Sequence, residues 1–228
     1  MKTQGSVEYQ RPAGDAQQAP EAARAGYKRP FDLAVLSVAH VVLLPLWVVL
    51  WTLVPLLVLL FEGRPILYRQ RRVGLDGRVI TIAKFRTMRR GADKTGPSWT
   101  LPGDKRVTRL GRLLRKTGLD ELPQVLSIWK GDLSLVGPRA LDVDEQRVIE
   151  QRLPAFRERL RVRPGFTGFA QVFDRTDDCE AKLVYDLEYI RRMSPRLDLY
   201  LLLRSAGNTL LARWDSRSGK ANLPVDPG

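Results

Sequence analysis

From Leu33 to Phe61 the chain carries no formal charge, and its only clearly polar residues there are Ser37, His40 and Thr52. As one continuous helix this run would extend roughly 43 Å, against about 30 Å of bilayer hydrocarbon. Pro45 sits near its middle and Pro55 further on. A proline removes one backbone donor and breaks the hydrogen-bond ladder there. Basic residues flank both ends, Lys28 and Arg29 before and Arg64, Arg69, Arg71 and Arg72 after. The positive-inside rule disfavours putting either cluster on the far side of a membrane. A re-entrant hairpin bent at Pro45, each arm too short to cross, meets length, proline and charge together. A kinked spanning helix is the alternative, and a buried soluble helix the weakest fit. Asp32, at the mouth of the run, is expected either to pair with Arg29 or to cap the helix.

This anchor narrows what the remainder can do. The 228 residues carry 38 Lys and Arg against 25 Asp and Glu, a net charge of +13. That balance favours an anionic partner: nucleic acid, an acidic membrane surface or a phosphorylated substrate. A single cysteine, Cys179, excludes an intrachain disulfide, and a single histidine, His40, excludes a multi-histidine metal site. Acid, base or nucleophile chemistry therefore falls to carboxylates, lysine, tyrosine or hydroxyls.

In chain order, residues 1–26 read as a disordered tail without a signal peptide, and 27–63 as the membrane hairpin. Residues 64–213 are expected to form the domain that follows, and 214–228 a second disordered tail. After the hairpin, residues 65–70 and 79–86 read as two strands joined at Gly74-Leu75-Asp76-Gly77. Alternation puts Lys84 and Arg86 on one face. Residues 91–104 read as a mobile loop. Lys105 to Lys116 reads as a basic amphipathic helix suited to anionic lipid; no aromatic interleaving supports nucleic acid. A short apolar helix is expected from Leu122 to Ile128, mixed-charge helix from Asp142 to Arg161 with a break at Pro154, and helices from Ala181 to Met193 and Leu197 to Leu211. The stretch from Arg163 to Gly168 reads as a tight turn able to receive an anion. The fold class is α/β, mostly helical with a small β-hairpin.

The chemistry concentrates between Arg115 and Arg139. Asp120 and Glu121 lie between a basic run and the turn Gly137-Pro138-Arg139. Adjacent carboxylates can hold a divalent metal, or divide into a nucleophile and a metal ligand. Thr117-x-x-Asp120 followed by Pro123 is also a helix-capping pattern. The residues alone leave both readings open.

Taken in order, several stretches resemble the bacterial sugar transferases, monotopic polyprenyl-phosphate phosphoglycosyl transferases. They are Lys28-Arg29-x-x-Asp32, Arg72-Val73-Gly74, Lys84-Phe85-Arg86-Thr87-Met88, Leu119-Asp120-Glu121-Leu122-Pro123-Gln124, the run Lys130–Arg139, and the run Arg163–Val172. The resemblance implies a monotopic protein at the bacterial inner membrane with its catalytic domain on the cytoplasmic face, and interfacial amphipathic helices. It implies transfer of a sugar-1-phosphate from a nucleoside-diphosphate sugar, usually a UDP-sugar, to undecaprenyl phosphate, releasing UMP. Asp120 is then the nucleophile of a covalent phosphosugar intermediate, with Mg²⁺ assisting and Glu121 as its ligand. Arg115, Lys84, Arg86, Arg139, Arg163 and Gln171 are expected to bind substrate. Anionic lipids are expected partners, nucleic acid is not, and a homodimer is compatible. The chain departs from the family pattern at Leu44-Pro45, where Ser-Pro is common, at Ala140, and at Phe169, Phe173 and Asp174. The rival readings are a membrane-anchored basic adaptor without activity, and a lipid-phosphate transferase with another donor.

Overall fold

The computed structural model describes residues 26–92, 95, 96, 100, 103–174, 176 and 178–210. The expected tails, apart from Gly26, lie outside the described residues, as does part of the 91–104 loop.

The apolar run forms two helices, α1 (Lys28–Val42) and α2 (Leu44–Glu62), separated at Leu43. Pro45 falls in the first turn of α2, where its missing N–H has no intrahelical partner to lose. The break therefore falls two residues before the proline that causes it. Trp47 closes the corner: its indole Nε1 donates to the Ala39 carbonyl at 3.2 Å, and its ring stacks on His40 at 4.3 Å. Pro55 stays inside α2. By length and composition α2 is sufficient to cross a membrane, contrary to the expectation that each arm is too short. However, Val54 and Val58 of α2 are buried against Phe85, Leu114 and Leu122, so part of α2 packs on protein.

Both ends of the helical pair dock on the following domain. At the start, Arg29 donates to the Ile128 and Trp129 carbonyls. Asp32 is fully buried and accepts from the Leu135 amide at 3.2 Å. It neither pairs with Arg29 nor caps a helix, since α1 already begins at Lys28. The reason is burial: a carboxylate without water needs a donor, and the backbone amide of Leu135, about a hundred residues along the chain, supplies one. At the far end, Arg86 donates to the carbonyls of Glu62 and Gly63.

An antiparallel hairpin follows, β1 (Leu67–Val73) and β2 (Val79–Phe85), turned through the 3-10 segment Leu75–Gly77. Tyr68 opposes Lys84, Gln70 opposes Ile82 and Arg72 opposes Ile80. The basic helix α3 (Arg109–Thr117) is shorter than expected, because Thr108 caps it by accepting from the Gly111 amide. Gly118, in the left-handed conformation, ends α3 and turns the chain into a 3-10 segment (Leu119–Gln124) that runs into α4 (Val125–Lys130). Then come β3 (Ser134–Val136), α5 (Val143–Arg152), the 3-10 segment Pro154–Arg161, β4 (Gly165–Thr167), α6 (Phe169–Phe173), α7 (Cys179–Arg192) and α8 (Pro195–Leu210).

The stretch read as a tight turn at 163–168 is in fact strand β4, paired in parallel with β3. Glycine permits the approach. A Cβ on Gly165 would meet the Gly137 nitrogen at 2.0 Å, and one on Gly168 the Gly137 carbonyl oxygen at 2.2 Å. The main core joins Leu36 of α1 to Ile82, Ile128, Val136, Tyr189 and Leu201, so the helical pair is part of the domain it anchors.

Candidate active site

The 3-10 segment after Gly118 places Asp120 and Glu121 against β2, α3 and the chain leaving β3. Asp120 is buried, 7% exposed. The capping reading fails: Gly118 precedes the segment without a side-chain cap, and Thr117 donates its hydroxyl back to the Leu113 and Leu114 carbonyls.

Arg139 grips Glu121 with both terminal nitrogens, one contact at 3.4 Å and the other shorter. Lys84 bonds the Gln70 side chain at 3.3 Å and lies over the Tyr68 ring. Gln70 in turn receives Arg72 on its Oε1 and donates to Asp142 at 3.0 Å. Arg115, in the last turn of α3, donates to the Thr87 hydroxyl and the Thr100 hydroxyl, both at 2.8 Å.

These neighbours split the two carboxylates. Burial, and then the Glu121 charge alongside, pushes Asp120 up to about 6, although Lys84, Arg115 and Arg139 pull the other way. For Glu121, burial also opposes charge, but Arg139 by charge and hydrogen bond, then Arg72 and Lys84, outweigh it and hold the group at about 2. Lys84 is brought down to about 7 by burial and by Arg72 and Arg115. The Glu121 charge and hydrogen bonding carry Arg139 upward despite burial. Adjacent groups pushed apart in this way mark division of labour. Glu121 is a fixed anion, while Asp120 carries its charge against its surroundings.

The expected site residues do not all converge. Asp120, Glu121, Lys84, Arg115 and Arg139 do. Arg86 does not: β2 ends at Phe85, and the guanidinium turns to the end of α2. Arg163 bears on Lys28 rather than on the pair. Gln171 is buried in α6 and donates to the Phe166 carbonyl at 3.1 Å, tying β4 to the next helix. Sequence reasoning passed over Arg72, Gln70, Tyr68 and Asp142 as site neighbours. Strand alternation could have found the first three, since they share the face of Lys84.

Magnesium keeps several waters and takes one or two carboxylates together with substrate phosphates. Among the described residues no three His, Cys, Asp or Glu side chains gather into a metal cluster. Asp120 and Glu121 are the side chains that could hold such an ion with phosphate oxygens, although both Glu121 oxygens lie on Arg139 here.

A model of the bacterial sugar transferase family matches residues 23–212. The chain is 37% identical over 189 residues to a UDP-glucose:undecaprenyl-phosphate glucose-1-phosphate transferase of Caulobacter vibrioides, covering 80% of this chain and 69% of the relative. It is 35% identical over 198 residues to a UDP-N-acetylgalactosamine-undecaprenyl-phosphate N-acetylgalactosaminephosphotransferase of Aeromonas hydrophila, covering 83% of this chain but 45% of that longer protein. It is 35% identical over 202 residues to the exopolysaccharide production protein ExoY of Sinorhizobium fredii, covering 82% of this chain and 86% of the relative.

Proposed function

The chain belongs to the bacterial sugar transferase family, and on that premise we propose that it moves a sugar-1-phosphate from a nucleoside-diphosphate sugar to undecaprenyl phosphate through a covalent Asp120 intermediate. The observation that carries this reading is the carboxylate pair, Asp120 buried and Glu121 partly so, ringed by Lys84, Arg72, Arg115 and Arg139. Asp142 and Glu145 also bear on Arg72, and Lys84 and Arg115 lie beside Asp120, where cations would meet a donor diphosphate. An adaptor for acidic lipid has no need to seat two carboxylates side by side among these cations.

In the first step an Asp120 oxygen attacks the β-phosphorus of the donor. The bond from that phosphorus to the bridging oxygen breaks, and the nucleoside monophosphate leaves with the electron pair; for a UDP-sugar this is UMP. In the second step an oxygen of undecaprenyl phosphate attacks the same phosphorus, Asp120 is released as carboxylate, and the polyprenyl diphosphate sugar forms. Two easier displacements replace one difficult step. Arg115 and Lys84 are placed to neutralise the transferring phosphate, and Arg139 fixes Glu121. Magnesium, when bound through Glu121 and the diphosphate, offsets charge on the phosphate oxygens.

The substrate is a lipid, and the helical pair fits delivery from a membrane. Exposed apolar side chains run through the break, from Val38, Val41 and Val42 to Leu46, Val49 and Leu53. Leu113, Leu126 and Trp129, on α3 and α4, are also exposed, and Trp129 meets His40 edge-on at 5.7 Å. This arrangement supports a re-entrant hairpin whose tip enters the bilayer from the cytoplasmic face of the inner membrane, leaving the domain of residues 64–213 on that face. Thiols introduced near residues 20 and 90 are then both shielded from outside in intact cells. Labelling of the first but not the second would leave a spanning helix.

The direct test is release of nucleoside monophosphate from a panel of UDP-sugars in detergent or nanodiscs, with and without undecaprenyl phosphate. Acceptor-dependent UMP release supports the reading. No release from any nucleotide sugar, with lipid binding intact, returns the chain to the adaptor reading.

A further inference from the structure

The most deeply buried ion pair among the described residues is far from solvent and outside the carboxylate site. Arg159, in the 3-10 segment Pro154–Arg161, pairs through Nε with Asp186 Oδ2 of α7 at 2.7 Å, and each side chain is 1% exposed. The same guanidinium donates through Nη2 to the backbone carbonyl of Arg139 at 2.8 Å. Arg139 is the residue whose side chain holds Glu121.

A buried ion pair is poor evidence for stability, because desolvation commonly cancels the attraction. Here burial outweighs Arg159 in setting Asp186, whose carboxyl is raised above its ordinary value. The pair does not sit in this core for its own electrostatic gain. What it does is fix a carbonyl. The Arg139 backbone is constrained from two sides: by Arg159, and by β4, where the Gly165 amide donates to the Pro138 carbonyl at 2.9 Å and Gly165 bridges Arg139. The Arg159 guanidinium carbon also lies over the Phe156 ring, 4.8 Å from its centroid. Rigid supports of this kind are how a reacting group is kept in register.

We propose that Asp186 and Arg159 are positioning residues that hold the Arg139 backbone, and through its guanidinium the Glu121 carboxylate, in reacting geometry. This rests on the reading of Asp120 and Glu121 as the reactive pair, and its test does not depend on turnover alone. Arg139 in a two-pronged contact with Glu121 should give a slowly exchanging, displaced guanidinium signal in ¹⁵N-arginine spectra of the full chain in nanodiscs, assigned by its loss in R139K. In the double variant R159M/D186L, which replaces the pair with apolar side chains of similar bulk, that signal should collapse toward the position of free arginine. Turnover should fall about 10–100-fold, with kcat and kcat/KM falling together and donor KM within about twofold. R159K keeps a cation beside Asp186 but lacks the second prong to the carbonyl, and should show the same two changes; it carries the test if the double variant does not fold. A wild-type Arg139 signal and wild-type kcat in either folded variant overturns the proposal. If wild type transfers nothing, the transferase reading fails, and the Arg139 signal still decides the positioning role.

Discussion

Two buried polar clusters lie within this small domain, and they are built on opposite plans. In one, Lys28 reaches Asp198 at 2.7 Å, the Val136 carbonyl at 2.7 Å and the Tyr189 hydroxyl at 3.0 Å. Asp198 also receives the hydroxyls of Tyr27 and Tyr189. Each charge there has an opposite charge and further hydrogen bonds, and the cluster joins the start of α1 to α7 and α8. In the other, Asp120 and Glu121 are neighbours of like charge, and Lys84 lies near Arg72 and Arg115. The first cluster centres on one opposite-charge pair, with the buried Asp32 alongside. The second sets like charges side by side, and on the proposed reading a donor diphosphate binds among them.

Crossed substitutions break or keep this contrast most forcefully. Asp198→Ala strands the Lys28 ammonium in the core and should cost about 3–5 kcal/mol of stability, read as a lowered denaturant midpoint; folded molecules should keep their turnover. Asp120→Asn should do the reverse. The Asp120 carboxyl is raised in the fold to about 6, so its ionised form subtracts from stability once pH exceeds the unfolded value, and fully so above about pH 6. Removing the charge at pH 7 should leave stability equal or higher by about 1–3 kcal/mol, with turnover abolished. A denaturant midpoint that falls sharply in Asp120→Asn would erase the distinction.

A smaller effect is expected at Arg139. Arg139→Ala frees Glu121 and removes a cation from the site, and turnover should drop about 10–100-fold, in line with loss of a preorganised charge contact. Unchanged kinetics would place Arg139 in the scaffold instead. The smallest shift concerns pH. If Asp120 is the nucleophile, turnover requires its ionised form, and the acid limb should lie near pH 6. Lys84 lowers Asp120, so Lys84→Met should move that limb upward by up to about one unit. A limb that stays fixed, or moves downward, would detach Lys84 from the pair.

Much of this contrast was legible in the residues, and the boundary is physical. The break near Pro45, the β1–β2 hairpin and the carboxylate pair depend on local rules of proline chemistry, alternation and adjacency. The parallel pairing of β3 with β4 does not: strands of three residues carry no periodicity, and their partner lies far along the chain. Arg86 and Lys84 share a strand face by alternation, yet only Lys84 reaches the site, because the strand ends between them. Asp32 could be recognised as unusual at an apolar mouth, but not as the acceptor for Leu135. Arg159 falls in the stretch read as mixed-charge helix and Asp186 in the helix read from Ala181 to Met193, and only their burial separates them from solvated neighbours.

The central claim is that Asp120 forms a bond to the donor's β-phosphorus. It is tested most directly by incubating the protein with a UDP-sugar substrate and labelled UMP in the absence of undecaprenyl phosphate. A covalent intermediate returns label into the UDP-sugar, so exchange should proceed in wild type and be absent in Asp120→Asn. Exchange or turnover that persists in a folded Asp120→Asn protein would contradict the account.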